Sequence, residues 1–244
     1  MRNLIVAFGW LAPFVAIVAW PWSPAAAIAV VALSHALILY PTLRPNVQWL
    51  GPVITRFETH AREVWLTIDD GPTADTPALL DLLAKTNTPA TFFLKGRIAD
   101  PVLVGAILDR GHSIGNHSFS HPSAWFWCYP SSWIAEEIDR CNGVLGARKW
   151  FRAPVGMKNP SVHPLLSARG MRLIGWTARG FDGVRADPQR VASRIVPRVR
   201  PGAIVVMHQG RPQSLACIER VIDTLRADGY SFVIPADDRL KTNR

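Results

Sequence analysis

The chain is poor in cysteine. Cys128, Cys141 and Cys217 are its only three in 244 residues. An odd, sparse set does not make a disulfide framework, and it mildly favours a reducing compartment. All three are expected to be small buried residues without a catalytic part. Acid is short as well: 18 Asp and Glu stand against 27 Lys and Arg, for a formal charge of +9. That balance suits nucleic acid, an acidic substrate or an anionic membrane. No clustered run of Lys and Arg is present, however, and scattered arginines do not form a nucleic-acid stripe. Nucleic acid is therefore set aside as a partner.

Charge is missing altogether from two long stretches. Residues 4–20 carry none, and after the Pro21-Trp22-Ser23-Pro24 break neither do residues 25–40. Each stretch is slightly short of the ~20 apolar residues that cross a bilayer as a helix. A tight transmembrane hairpin is one solution, and a re-entrant pair dipping into one leaflet is another. Trp20, Trp22 and Tyr40 lie near segment ends, where an interfacial aromatic belt would place them. A cleaved signal peptide competes for the first stretch. It lacks a convincing Ala-x-Ala site, and a second apolar stretch follows directly. An uncleaved anchor in an inner-membrane-type bilayer is the favoured reading. Arg2 precedes the first segment, Arg44, Arg56 and Arg62 follow the second, and the turn between has no basic residue. The positive-inside rule then puts both ends in the cytoplasm. If only one segment spans, the remainder lies outside. The expected organisation is a membrane hairpin at 1–43, a linker at 44–62 and a folded domain at 63–240.

With 49% apolar residues the remainder can bury a core. From Val64 onward, strand-like and helix-like runs alternate. Strands are expected at 64–68, 90–94, 112–116, 150–152, 171–176, 203–207 and 231–234. Helices are expected at 76–85, 101–110, 132–147, 160–169, 188–199 and 213–228, with Asp75 and Asp187 as N-caps and Pro188 at a first helical position. Seven βα-like units without sequence repeats predict a parallel α/β barrel or a doubly wound sheet. In both, chemistry collects where strands end.

The reactive side chains do collect there. The first strand ends at Asp69-Asp70. The third runs into Asn116-His117-Ser118-Phe119-Ser120-His121, the fourth into Arg152-Ala153-Pro154-Val155-Gly156, and the sixth ends at His208. A lone Asp at a strand end is usually a turn former, and a lone His is usually structural; the combination is what argues for chemistry. His117 and His121 are four apart, which on a helical turn puts both rings within reach of one metal ion. A carboxylate from Asp69 or Asp70 would complete a two-His, one-carboxylate set with open positions. The other Asp could then serve as a general base. His35, His60, His112 and His163 read as structural or surface residues.

These motifs resemble the signatures of the polysaccharide deacetylases, the NodB-homology or family 4 carbohydrate esterases. Thr67-Ile68-Asp69-Asp70-Gly71-Pro72 resembles the first, His117-Ser118-Phe119-Ser120-His121-Pro122 the second and Arg152-Ala153-Pro154-Val155-Gly156 the third. Val206-Met207-His208 sits where the last belongs, and Pro89-Ala90-Thr91-Phe92-Phe93 resembles the strand after the first. The similarity runs over about residues 63–235, in the family's order.

The resemblance implies that Asp70, His117 and His121 hold one divalent ion, usually Zn2+. Asp69 would take the proton from the attacking water, with Arg152 orienting it. His208 would protonate the leaving amine, oriented by Asp182. The backbone N–H near Val155 would help hold the oxyanion, and Val206 would line the acyl pocket. The family's fourth signature, Asp-x-x-Asp-Trp, is altered: Arg179 stands at its first Asp, Asp182 at its second and Gly183 at its Trp. The loss of that Trp questions a polymer groove of the usual shape.

The expected architecture is therefore an α/β fold, a distorted (β/α)7-type barrel preceded by a transmembrane or re-entrant hairpin. The expected activity is metal-dependent removal of an acetyl or formyl group from a sugar nitrogen. An open groove, the hairpin and the run Ala124-Trp125-Phe126-Trp127 favour a membrane-embedded, polyprenyl-phosphate-linked amino sugar as substrate. On this reading the barrel faces the cytoplasm, membrane lipids are partners, and Trp125, Phe126 and Trp127 dip into the interface beside the substrate. An extracytoplasmic peptidoglycan or chitooligosaccharide is the alternative. A non-catalytic sugar- or lipid-binding protein and a membrane scaffold are rivals of another class, and the paired base and acid argue against both.

Overall fold

The computed structural model describes residues 1–184 and 186–242. It opens with two helices, α1 (Arg2–Ala19) and α2 (Pro24–Leu43). Ser23 starts α2, accepting from the Ala26 N–H with Pro24 at the first helical position. Gly9 lets the pair close up, since a Cβ there would lie 2.9 Å from Ile38 Cδ1. Both helices are long and apolar enough to cross a membrane by length and composition. Leu4, Phe14, Ile17, Ile28 and Leu33 remain exposed on them.

The remainder is a curled α/β sheet flanked by helices. Its elements run β1 (Ile54–Phe57), β2 (Glu63–Gly71), α3 (Thr76–Lys85), β3 (Ala90–Leu94), α4 (Pro101–Asp109) and β4 (Ser113–Asn116). Then come α5 (Ser131–Leu145), β5 (Trp150–Phe151), α6 (Val162–Ser167), β6 (Arg172–Leu173) and β7 (Ala178–Arg179). The chain continues through α7 (Pro188–Ile195), β8 (Ala203–His208), α8 (Ser214–Ala227), β9 (Ser231–Phe232) and β10 (Leu240–Thr242). The strand order is β10-β1-β8-β2-β3-β4-β5-β6, with β7 on β8 and β9 on β2. The neighbours from β8 through β6 are parallel, and β1 runs antiparallel to β8 and β10. A parallel bridge from Ile54 to Ile174 brings the two ends of the sheet together. This is the distorted barrel expected from the family resemblance, and one of the two architectures that the alternating pattern allows.

Three differences from that expectation stand out. The stretch 44–62 is not only a linker, because β1 lies within it and joins the sheet. The expected strand 171–176 is split: Gly175 donates its N–H to Ile54 O, and pairing resumes at β7. Asp75 makes no helix-capping bond; it instead accepts from the Gly210 N–H at 3.0 Å and from the Thr73 hydroxyl.

Strand alternation sorts the side chains into two layers. On β2, Val64, Leu66 and Ile68 pack under the helices, and on β8 Ala203, Val205 and Met207 do the same. The intervening Trp65, Ile204 and Val206 fill the barrel interior with Phe93, Ile174 and Trp176. The same alternation turns Thr67 and Asp69 inward, and His208 pairs in register with Asp69.

The hairpin is bolted to the barrel at the C-terminal end of α2. Lys158 is fully buried, and its Nζ donates to the carbonyls of Pro41 (3.1 Å), Arg44 (3.0 Å) and Pro45 (2.9 Å). These are end-of-helix carbonyls and those just beyond, which have no partner of their own within the helix. Asn46 follows, exchanging side-chain bonds with the backbone of Trp176.

Candidate active site

Asp69, Asp70, His117, His121 and His208 converge on one mouth of the barrel, in a pocket of about 230 Å³. Arg152, fully buried, organises its floor. Nη1 donates to Asp69 Oδ1 at 2.7 Å and to Thr67 Oγ1 at 2.7 Å, Nη2 to Gly175 O at 3.0 Å, and Nε to Ile174 O at 3.3 Å. Its guanidinium lies 4.2 Å from the Phe93 ring centroid. With Oδ1 so engaged, Asp69 Oδ2 is left toward His117 Nε2, 3.8 Å away.

Asp70, His117 and His121 form a second set. Their ligand atoms all lie within 4.8 Å of one another. Asp70 Oδ1 is 4.0 Å from His117 Nε2 and 3.5 Å from His121 Nε2. His117 Nδ1 sits 2.8 Å from Arg152 O, so it donates there and leaves Nε2 as the free lone pair. Burial lowers the pKa of both histidines, His121 to about 4, where the charge of His117 adds to the effect. Burial would raise the Asp70 pKa, but His117, His121 and Lys95 bring it down to about 2.

The fit to a divalent ion rests on an orphaned atom. Asp70 Oδ1 is buried and accepts no hydrogen bond. Lys95 Nζ lies 3.5 Å from it, too long for a hydrogen bond, so this buried oxygen keeps a lone pair free for a cation on the histidine side. Two neutral imidazoles and that carboxylate are a donor set suited to zinc or a similar ion. Metal analysis of the purified chain should find about one ion per molecule, and His117→Ala should lower this. Undiminished metal content in the variant would remove His117 from the ligand set.

The histidines do not share a helical turn, contrary to the spacing argument. They sit on the loop after β4, where Ser118 (φ 64°) and His121 (φ 52°) take left-handed backbone. The rings come to 4.6 Å between centroids. Asp70, Ser123, Val155 and Phe181 also have positive φ; among described non-glycine residues only Asn87 does so away from the site. Such backbone persists where surrounding bonds over-determine it. Here Asn116 Oδ1 accepts from the Ser118 N–H, and Glu137 accepts from both N–H and hydroxyl of Ser120 at 2.8 and 2.7 Å. Asn116 heads the strand-end run quoted above but had no part assigned to it, and Glu137 lies outside every motif. Glu137 carried a legible signal, as a carboxylate on the buried face of α5 beside Ile134, Ile138 and Cys141.

His208 completes the pocket. Its Nδ1 lies 3.1 Å from Asp182 Oδ1, and its backbone N–H donates to Asp182 Oδ2 at 2.7 Å. Burial works against the imidazolium, but Asp182 outweighs it and the His208 pKa is raised. Val155, Val206 and Trp176 supply the apolar wall. Gly183 leaves space: a Cβ there would meet the His208 ring at an ordinary 3.4 Å.

Trp125 and Trp127 do not line this pocket. Trp125 is 72% exposed and Trp127 half-buried, while Phe126 is fully buried against Phe151 and Ile134. The expected interfacial dip of Phe126 is thereby corrected, because the 3₁₀ turn at Ser123–Cys128 points that ring into the core. Cys128 is exposed rather than buried.

Comparison with known proteins agrees with the motifs. Residues 57–174 match the sequence profile of the family described as polysaccharide deacetylase. A chitooligosaccharide deacetylase from Bradyrhizobium is 30% identical over 188 residues, covering 73% of this chain and 85% of that protein. A peptidoglycan-N-acetylglucosamine deacetylase from Bacillus cereus is 30% identical, covering 78% and 94%. Among solved structures, a family 4 carbohydrate esterase from Streptomyces lividans in complex with acetate superposes with a TM-score of 0.67. It is 28% identical, covering 75% of this chain and 98% of its own.

Proposed function

The chain belongs to the polysaccharide deacetylase family, and on that premise we propose that it hydrolyses the N-acetyl group of an amino sugar within a peptidoglycan or chitooligosaccharide chain. One observation carries the catalytic reading. Asp69, paired to Arg152, and His208, paired to Asp182, face one small pocket beside the Asp70, His117, His121 set. A sugar-binding protein has no use for both a held base and a held acid.

A divalent ion on that set would polarise the acetyl carbonyl and acidify a water molecule. The chain's own residues supply the remaining steps. Arg152 fixes the Asp69 carboxylate so that its other oxygen receives the proton of the attacking water. The peptide N–H at Val155 helps hold the oxyanion. His208, kept protonated by Asp182, delivers a proton to the sugar nitrogen, which cannot leave as an anion. Val206 and Trp176 enclose the methyl group.

The sequence on its own favours a polyprenyl-linked amino sugar. The names borne by the relatives favour its other substrate reading, and the exposed Trp125 stands off the pocket. The full chain in detergent with a divalent ion should release acetate from chitooligosaccharide or from glycan strands of peptidoglycan. No acetate from either would end this reading. Peptidoglycan lies outside the cytoplasmic membrane, so action on it requires the barrel there, against the orientation suggested by the few arginines flanking the helices. A C-terminal reporter active only in the cytoplasm would exclude peptidoglycan and bring the lipid-linked substrate back beside chitooligosaccharide.

A further inference from the structure

Arg179 has no role in the chemistry just described, yet it lines the catalytic pocket. It sits on β7 in register with Val206 of β8, the strand that ends at His208, and β2 with Asp69 is the next strand over. Its guanidinium carbon lies 4.1 Å from the Phe181 ring centroid and 5.4 Å from that of Trp176. The residue is half-buried, and its side chain forms no hydrogen bond or ion pair with any described residue. The ring contacts use none of the five N–H donors.

Asp182 and Asp69 are close enough to interact with this charge, but each nearby carboxylate has an ion-pair partner of its own. Asp69 has Arg152, Asp182 has His208, and Asp70 has Lys95 and the histidines. Positive charge is also in surplus at the mouth. A second recess of about 310 Å³ shares Asp70, His121, Ser123 and Arg211 with the pocket and adds Lys95 and Arg97. Arg97 and Arg211 are exposed and form no ion pair with a described residue. An unfilled, ring-held guanidinium with a basic rim is a receptor for a planar or tetrahedral anion.

We propose that Arg179, supported by Arg211, selects substrates that carry a carboxylate or phosphate beside the N-acetylated sugar. This rests on the deacetylase reading above. A carboxylate would come from an acidic sugar in the same glycan, and a phosphate from a phosphodiester link to the sugar. Arg179 reads the charge that both share.

The full chain, loaded with a divalent ion, is assayed on three N-acetylated substrates. These are neutral chitotetraose, a glycan strand bearing free lactyl carboxylates, and N-acetylglucosamine 1-phosphate. At low salt, kcat/KM should favour one charged substrate over chitotetraose by about tenfold or more, the size of one charge-assisted contact. The substrate favoured identifies the source of the anion. The preference should shrink toward one at 0.5 M salt and in Arg179→Met, and recover in part in Arg179→Lys. Calorimetric titration of the metal-free chain with the same sugars should show the same order. Arg179→Met lowering all three substrates alike, or a wild-type chain that releases acetate from chitotetraose as efficiently as from both charged substrates, overturns the proposal and leaves the deacetylase reading intact. Acetate from none of the three refutes both.

Discussion

Asp69→Asn is expected to keep the fold and the bound ion and to lose about 10²–10⁴-fold in turnover, the usual worth of a general base. The amide oxygen can still accept from Arg152, but the side chain can no longer take a proton. His208→Ala should lose a comparable factor through the absent acid. The two losses differ in their pH signature. Asp182 holds the His208 pKa above its ordinary value against the opposing effect of burial. Imidazolium is therefore populated to higher pH, and kcat/KM should fall as pH rises through that raised pKa. Asp182→Asn removes the carboxylate charge, so this decline should move to lower pH. An unmoved decline would separate Asp182 from the acid, and near-normal turnover in Asp69→Asn or His208→Ala would strike that residue from the mechanism.

Those residues were legible because strand ends are local properties. The apolar runs 64–68 and 203–207 stop at Asp69 and His208, which marks both as strand-end groups, and the structure pairs them directly. The shape of the histidine loop was not legible. Spacing of four suggests a helical turn, whereas the loop uses left-handed Ser118 and His121, fixed from α5 by Glu137. A contact of that kind joins elements by folding rather than by sequence proximity. The same holds for Lys158, whose three acceptors lie 113 to 117 residues away. Strand β1 reads as linker in the sequence because its four residues are too few to show a period and its partners come from the far end of the chain.

Lys158 also changes how the hairpin is understood. It follows the Val155 turn, and a Cβ on Gly156 would strike both Trp176 and Pro45 at under 3 Å. The residues leaving α2 thus buttress the wall of the pocket. Helix end, Val155 turn and Trp176 form one packed unit, so the residues leaving the apolar helices bear on the geometry of the site.

Arg152→Met should have the largest effect on stability. Arg152 and Asp69 are 1% and 4% exposed in their side chains, and they share one 2.7 Å contact. Removing the cation leaves a buried carboxylate facing an apolar side chain and orphans the carbonyls of Ile174 and Gly175. Breaking a buried pair from one side costs about 3–5 kcal/mol. Turnover should fall with it, because Asp69 loses its orientation. Lysine is no substitute: one ammonium has three donors and no fork, while the guanidinium serves four acceptors at once. Arg152→Lys should therefore stay well below the native chain in both respects. The Asp69→Asn, Arg152→Met double variant sharpens the test. With no buried charge left unpaired, it should unfold at a higher temperature than Arg152→Met alone while remaining inactive. Additive destabilisation in the double variant would mean that the two side chains act separately, and the view of Arg152 as the holder of the base would have to be abandoned.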